Sequence, residues 1–153
     1  MSDRTVAVTM VKDESDIIER TLTNMADQVD WIIVADNMST DGTRDILEDL
    51  AYDLPLTIVD DLEVGYHQSA KMTELAMQAR LNHHAEWIVP FDADEWWYSP
   101  FGRIGDILGS PGAWIETNAL DIWAEQGSIG GSDADRVNVR LVKSLNRGYL
   151  QST

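Results

Sequence analysis

The sequence predicts an α/β protein: a mainly parallel sheet covered by helices. Three observations carry that prediction. Four short apolar runs, rich in β-branched residues, recur roughly every 25 residues. Stretches with a helical apolar period fill the gaps between them. Each apolar run gives way to turn-forming and acidic residues. Such alternation implies parallel strands joined by right-handed helical crossovers.

The elements follow in order. "TVAVTM" (5–10) reads as a short buried strand. In "VKDESDIIERTLTNMADQV", Ile17, Ile18, Leu22, Met25, Ala26 and Val29 share a helical face. Asp13, Ser15 and Asp16 offer side-chain oxygens to cap its start. "WIIVAD" (31–36) is a second strand, followed by the turn and cap cluster "NMSTDGT". "RDILEDLAYDL" puts Ile46, Leu47, Leu50, Ala51 and Leu54 on one face, and Pro55 ends it. "LTIVDD" (56–61) is a third strand. A loop leads into a helix striped by Met72, Leu75, Ala76 and Ala79. "WIVPF" (87–91) is a fourth strand, and Pro90, which lacks an N–H, belongs at its end or on an unpaired side.

Beyond residue 100 the pattern changes. "FGRIGDIL" reads as a short helix, and "AWIETNALDIW" (113–123) and "RVNVRLVKS" (136–144) alternate like strands around the loop "EQGSIGGSDAD". No linker, internal repeat or low-complexity segment interrupts the chain, so the expectation is a single domain over residues 1–153.

Bulk properties exclude several functions. The chain has 153 residues, 44% of them hydrophobic and 25% charged, which suits a globular domain with a real core. A net charge of −16 repels phosphate backbones and anionic lipid, so no nucleic-acid partner is expected. No apolar run approaches a membrane span, and "MSDRTVAVTM" lacks a secretory apolar stretch. Cysteine is absent, which rules out thiolate metal sites and makes a cytoplasmic location the expectation.

The acids fall in a pattern. In a parallel sheet all strand C-termini share one edge, and ligands bind in the crevice beyond it. The first strand leads to Asp13, the second ends at Asp36, the third at Asp60 and Asp61, and the fourth at Asp92, Asp94 and Glu95. Asp13 is equally a helix-cap residue, and a turn role is the lesser reading for Asp36 and Asp41. Asp92 and Asp94 are harder to explain that way, because no turn needs two acids one residue apart. They repel each other unless a cation joins them. Mg²⁺ or Mn²⁺ takes carboxylate oxygens, keeps waters and binds phosphates, which turns an acidic rim into a diphosphate site. Lys71, near the start of the third helix, offers a positive charge there.

At these residues the chain resembles the family 2 glycosyltransferases, which have the GT-A fold. "VKDESDIIERTL" (11–22), "VDWIIVADNMSTDGTRDIL" (29–47) and "EWIVPFDADEWW" (86–97) carry the resemblance over about the first two-thirds of the chain. It implies a Rossmann-like, mainly parallel sheet with flanking helices and a mixed-strand second half. Residues 1–95 would be the nucleotide-sugar-binding half and 96–153 a shortened acceptor-side half. It implies a metal-dependent transferase that moves a sugar from a UDP- or GDP-sugar to a saccharide or other hydroxyl acceptor. The nucleotide-binding residues would be Met10, Val11, Asp13, Asp36, Asp60 and Asp92, to which Lys71 is added for its position and charge. Asp92 and Asp94, the D-x-D, would hold Mn²⁺ or Mg²⁺. Lys-Asp-Glu stands at 12–14 where many relatives have Lys-Asn-Glu.

The resemblance also implies a carboxylate base in the second half, for which Glu116, Asp121 and Glu125 are the candidates. The chain stops at "GYLQST" without a clear counterpart of the family's later His-bearing segment. A minimal enzyme, a fragment and a member without activity all stay open. Trp96 and Trp97 are candidates for a sugar-stacking wall beside the metal, with one of the two expected in the core instead. Arg140 and Arg147 are candidates for phosphate contacts, and His67 lies on the carboxylate edge. His83 and His84 belong to the opposite edge. Two alternatives compete: a non-catalytic nucleotide-sugar-binding domain, and a haloacid dehalogenase-like phosphatase.

Overall fold

A computed structural model describes residues 4–65, 67–98, 102–108, 114–119 and 138–145. The elements are β1 (Thr5–Val11), α1 (Ile18–Gln28), β2 (Trp31–Asp36), α2 (Thr43–Asp53), β3 (Leu56–Asp60), α3 (Gln68–His83), β4 (Trp87–Pro90), β5 (Glu95–Tyr98), α4 (Ile104–Leu108), β6 (Trp114–Ala119) and β7 (Asn138–Leu145). The strands β1 to β4 form an all-parallel sheet in the order β3-β2-β1-β4. This is the expected α/β class, with β1 and β2 central.

Burial on both faces explains why these strands read as near-continuous apolar runs. Alternate residues serve opposite faces. Ala7, Val11, Ile32 and Val34 join Ile18, Leu22, Met25 and Leu47 in the cluster under α1 and α2. Val6, Val8, Ile33 and Ala35 join Leu75 and Ala79 of α3 on the other side. The α1 stripe is buried as expected, with Ile17, Ile18, Leu22, Met25 and Val29 at 1% exposure or less. Pro90 closes β4, which has no strand beyond it among the described residues, so its missing N–H costs no ladder bond there.

The start of α1 departs from expectation. Ile17 is its N-cap residue and makes no side-chain cap bond. Asp13, one of the expected cap residues, is engaged elsewhere: its carboxylate accepts the Thr40 N–H at 2.7 Å. Cross-linking of two loops has displaced local capping.

The second half is mixed, as expected. β7 pairs parallel with β5 and antiparallel with β6. Strand β5 is an element that the sequence reading did not delimit. It packs against α1, where Asn24 Nδ2 donates to the Trp97 carbonyl at 3.0 Å. Trp97 and Ile104 are buried in the same cluster as the α1 stripe. Among the described residues, no helix is long and apolar enough to cross a membrane.

Candidate functional site

Parallel pairing brings the strand C-termini to one edge. Val11 is in register with Asp36, and Asp36 with Asp60, so these three form one row across the sheet. β4 runs the same way, and Asp92 follows its end. Asp36 and Asp92 therefore share an edge, as the reading of the acids required.

A cavity of about 440 Å³ opens along that edge. Its wall includes Met10, Val11, Lys12 and Glu14 after β1, Asn37 after β2, Val64 and Gly65 after β3, Gln68 and Lys71 of α3, and Asp92, Ala93 and Asp94 after β4. Of the residues chosen from sequence, Met10, Val11, Lys71, Asp92 and Asp94 line it. Asp13, Asp36 and Asp60 stand on the same edge beside it, each held by other groups.

Those groups divide by face. Residues 36 and 60 point to the α2 side of the sheet. Asp36, 5% exposed, accepts the Ser39 N–H at 3.2 Å and lies 3.7 Å from Arg44 Nη1. Arg44 also forms a short hydrogen-bonded ion pair with Asp60 and bonds Glu48 at 2.9 Å. The hydrogen bonds it donates to Glu48 and Asp60 push the guanidinium further into its charged form. The next residue of each strand faces α3. Asn37 Nδ2 donates to Asp61 Oδ2 and to the Glu63 carbonyl, both at 2.8 Å. Lys71 Nζ lies 2.6 Å from Asp61 Oδ2 and donates to the Gly65 carbonyl at 3.0 Å. Burial pushes the Asp61 carboxyl up, but the Lys71 and Asn37 hydrogen bonds outweigh it and hold the group below its usual range. Lys71 thus reaches the cavity with its charge already matched. Lys12, exposed on the cavity wall, forms no ion pair among the described residues.

The turn after β2 is tied to the loop after β1. Asp13 has φ +53°, a left-handed conformation that Asp and Asn tolerate best among non-glycine residues. Its N–H donates to Ser39 Oγ at 3.0 Å. The Glu14 N–H donates to Thr43 Oγ1 at 2.9 Å, and the Ser15 N–H to Asp41 Oδ2 at 3.1 Å. Asp41 also accepts the Thr43 hydroxyl at 2.5 Å and the Thr43 N–H at 3.0 Å. The Thr43 hydroxyl chiefly, with Ser15 adding to it, keeps the Asp41 carboxyl well below the ordinary range. Asp41 is therefore a turn-builder, the simpler of its two readings. The D-N-x-S-x-D-G-T run works as a brace that holds the β1 end of the cavity.

Several expectations are corrected or fall elsewhere. Trp97 is 7% exposed in the core, and Trp96 faces Glu19, Arg20 and Asp27 of α1. Neither lines the cavity as a sugar-stacking wall, because the alternation of β5 sends one into the core and the other along α1. His83 stacks on Trp31 with ring centroids 5.4 Å apart, at the edge where β2 begins. Burial, then Arg4 and His84, push its imidazole towards the neutral form. His67 is the N-cap residue of α3 on the cavity edge. Glu116 lies on β6 and Arg140 on β7. Asp121, Glu125 and Arg147 lie outside the described residues. The sequence reading missed Asn37, Glu14, Val64, Gly65 and Gln68. For Asn37 a signal existed: it follows Asp36 and so must face the opposite side of the sheet.

Comparison with known proteins follows the same lines. The family model for "Glycosyl transferase family 2" matches residues 6–101. No curated relative matches. Among solved structures, the crystal structure of S. aureus TarS 1-349 is similar at 23% sequence identity and a TM-score of 0.46. The match covers 60% of this chain and 27% of that one, so the chain spans about a quarter of the length of TarS 1-349.

Proposed function

From its membership of glycosyl transferase family 2, we propose that this chain moves a sugar from a nucleotide-diphosphate sugar to a saccharide or other hydroxyl acceptor, with a divalent ion at Asp92 and Asp94. The family removes the support for a haloacid dehalogenase-like phosphatase. The GT-A class expected of the family agrees with the four-stranded parallel sheet and its flanking helices.

One observation supports the proposal above all: the cavity of about 440 Å³ whose wall joins Met10 and Val11 to Asp92 and Asp94. That volume is typical of small-ligand sites, and its position beyond the strand ends is where open α/β sheets bind ligands. Among the described residues no group of three or more His, Cys, Asp or Glu is arranged to hold an ion alone. Two carboxylates fit Mn²⁺ or Mg²⁺ when water and diphosphate oxygens complete the shell. Such an ion, when bound, stabilises the charge that develops on the leaving diphosphate.

The chain's own residues have distinct tasks in this reading. Asp92 and Asp94 mark the diphosphate end of the cavity. Lys12 adds a cation on the cavity wall that forms no ion pair among the described residues. Asn37 and the Asp61–Lys71 pair shape the nucleoside end, with Asp13, Asp36 and Asp60 on the adjoining rim. The absence of cysteine suits a reducing, cytoplasmic setting.

Calorimetry with UDP and with GDP, each with and without Mn²⁺, tests the reading. Binding should require Mn²⁺, and Asp94→Ala should weaken it at least tenfold, about 1.4 kcal/mol, without changing the circular dichroism. Unchanged affinity in the variant overturns the site. Release of UDP or GDP from a sugar nucleotide separates an enzyme from a binding-only domain.

A further inference from the structure

The chain from Phe91 to Trp97 alternates strictly. Phe91, Ala93, Glu95 and Trp97 are 2%, 6%, 6% and 7% exposed, whereas Asp92 and Asp94 are more open and line the cavity, where Ala93 also touches it. Glu95 is thus a carboxylate on an otherwise apolar inward row. Burying a carboxylate is costly, and an apolar side chain would pack there without that cost. Its bonds give a reason. The Phe91 N–H donates to the Val8 carbonyl of β1 at 3.1 Å. The next N–H, of Asp92, points away from β1, towards the side where β4 has no sheet neighbour among the described residues. There Glu95 Oε1 accepts it at 3.1 Å. The Glu95 N–H returns to the Asp92 carbonyl at 3.0 Å. The same two residues are therefore joined in both directions.

We propose that Glu95 is a positioning residue: from beneath the Asp92–Glu95 turn it fixes the backbone so that the Asp92 and Asp94 carboxylates both face the cavity. Its role needs an oxygen acceptor at that place and not a ligand to the ion. This rests on the reading of the cavity as a nucleotide-diphosphate site, but it has a consequence in the ligand-free protein as well.

Three variants test it: Glu95→Gln, which keeps the acceptor; Glu95→Ala; and Glu95→Met, which fills the space without an acceptor if the alanine variant fails to fold. In the ligand-free protein the Asp92 amide should exchange slowly in the parent and in Glu95→Gln, and at least tenfold faster in the other variants. Mn²⁺-dependent UDP affinity should stay within about threefold in Glu95→Gln and fall at least tenfold in the others, by the same arithmetic as above. Equal Asp92 exchange in all variants overturns the proposal, as does a loss of affinity in Glu95→Gln as large as in Glu95→Ala. If the parent binds no nucleotide, the function proposed for the cavity fails, while the exchange measurement still decides the role of Glu95.

Discussion

Lys71→Met removes a cation from the wall of the cavity while keeping most of its apolar stem. The Lys71 and Asp61 side chains retain only 9% and 10% of their exposure, and their charged atoms lie 2.6 Å apart. Asn37 and two carbonyls complete the network. Removing one partner of such a pair leaves the other charged and buried, which costs about 3–5 kcal/mol. An exposed pair of the same length would cost about 1 kcal/mol or less. Domains hold about 5–15 kcal/mol in all, so Lys71→Met should consume a large share of the stability. At roughly 2–4 °C per kcal/mol for a chain of this size, the melting midpoint falls by about 6–20 °C. Urea unfolding followed by tryptophan fluorescence measures it directly, since the chain carries 6 tryptophans. Asp61→Asn should cost a similar amount. The double variant should cost clearly less than the sum, with a coupling of about 2 kcal/mol, because residues in one ion-pair network are not additive. A loss below about 1 kcal/mol for Lys71→Met, or strict additivity, would refute the claim that this pair is buried and coupled.

Three further outcomes follow from the same geometry. Because the folded Asp61 carboxyl titrates below its unfolded value near 3.9, its contribution is complete above that value and fades as pH falls through the depressed one. The stability gap between the parent and Asp61→Asn should therefore close on acidification below about pH 4, and a gap that stays constant counts against the pairing. Gly42 has φ +99° with nothing near its missing Cβ, so Gly42→Ala should cost about 1–2 kcal/mol of backbone strain alone, read from the urea midpoint. Arg44→Ala should cost about 1 kcal/mol or less despite its several acidic partners, because Arg44, Asp60 and Glu48 are 36%, 65% and 56% exposed; a loss above about 2 kcal/mol would mean that buried Asp36 depends on it.

Much of the site was legible in the residues because period-two alternation and parallel pairing are simple rules. Four apolar runs predicted four parallel strands, and their acidic ends predicted one edge. The same rules applied one residue further would have found Asn37, and would have split Asp60 from Asp61. They would also have shown that Trp96 and Trp97 cannot form one wall, since neighbours on a strand face opposite ways. Val64, Gly65 and Gln68 carried no such signal. They reach the cavity through the path of a loop, which has no period.

The residue order alone determined which segments bury both faces, where each of the first four strands stops to within about one residue, and that Asp92 and Asp94 stand at the carboxyl edge with Asp36. Those are local matters of apolar spacing and chain direction. Only the packed molecule decided how the charges there are shared: Lys71 belongs to Asp61, Arg44 to Asp36 and Asp60, and Glu95 to the backbone of Asp92. An ion pair depends on distance in space, and residues 16 or 10 apart in the chain meet only after helices and strands have packed.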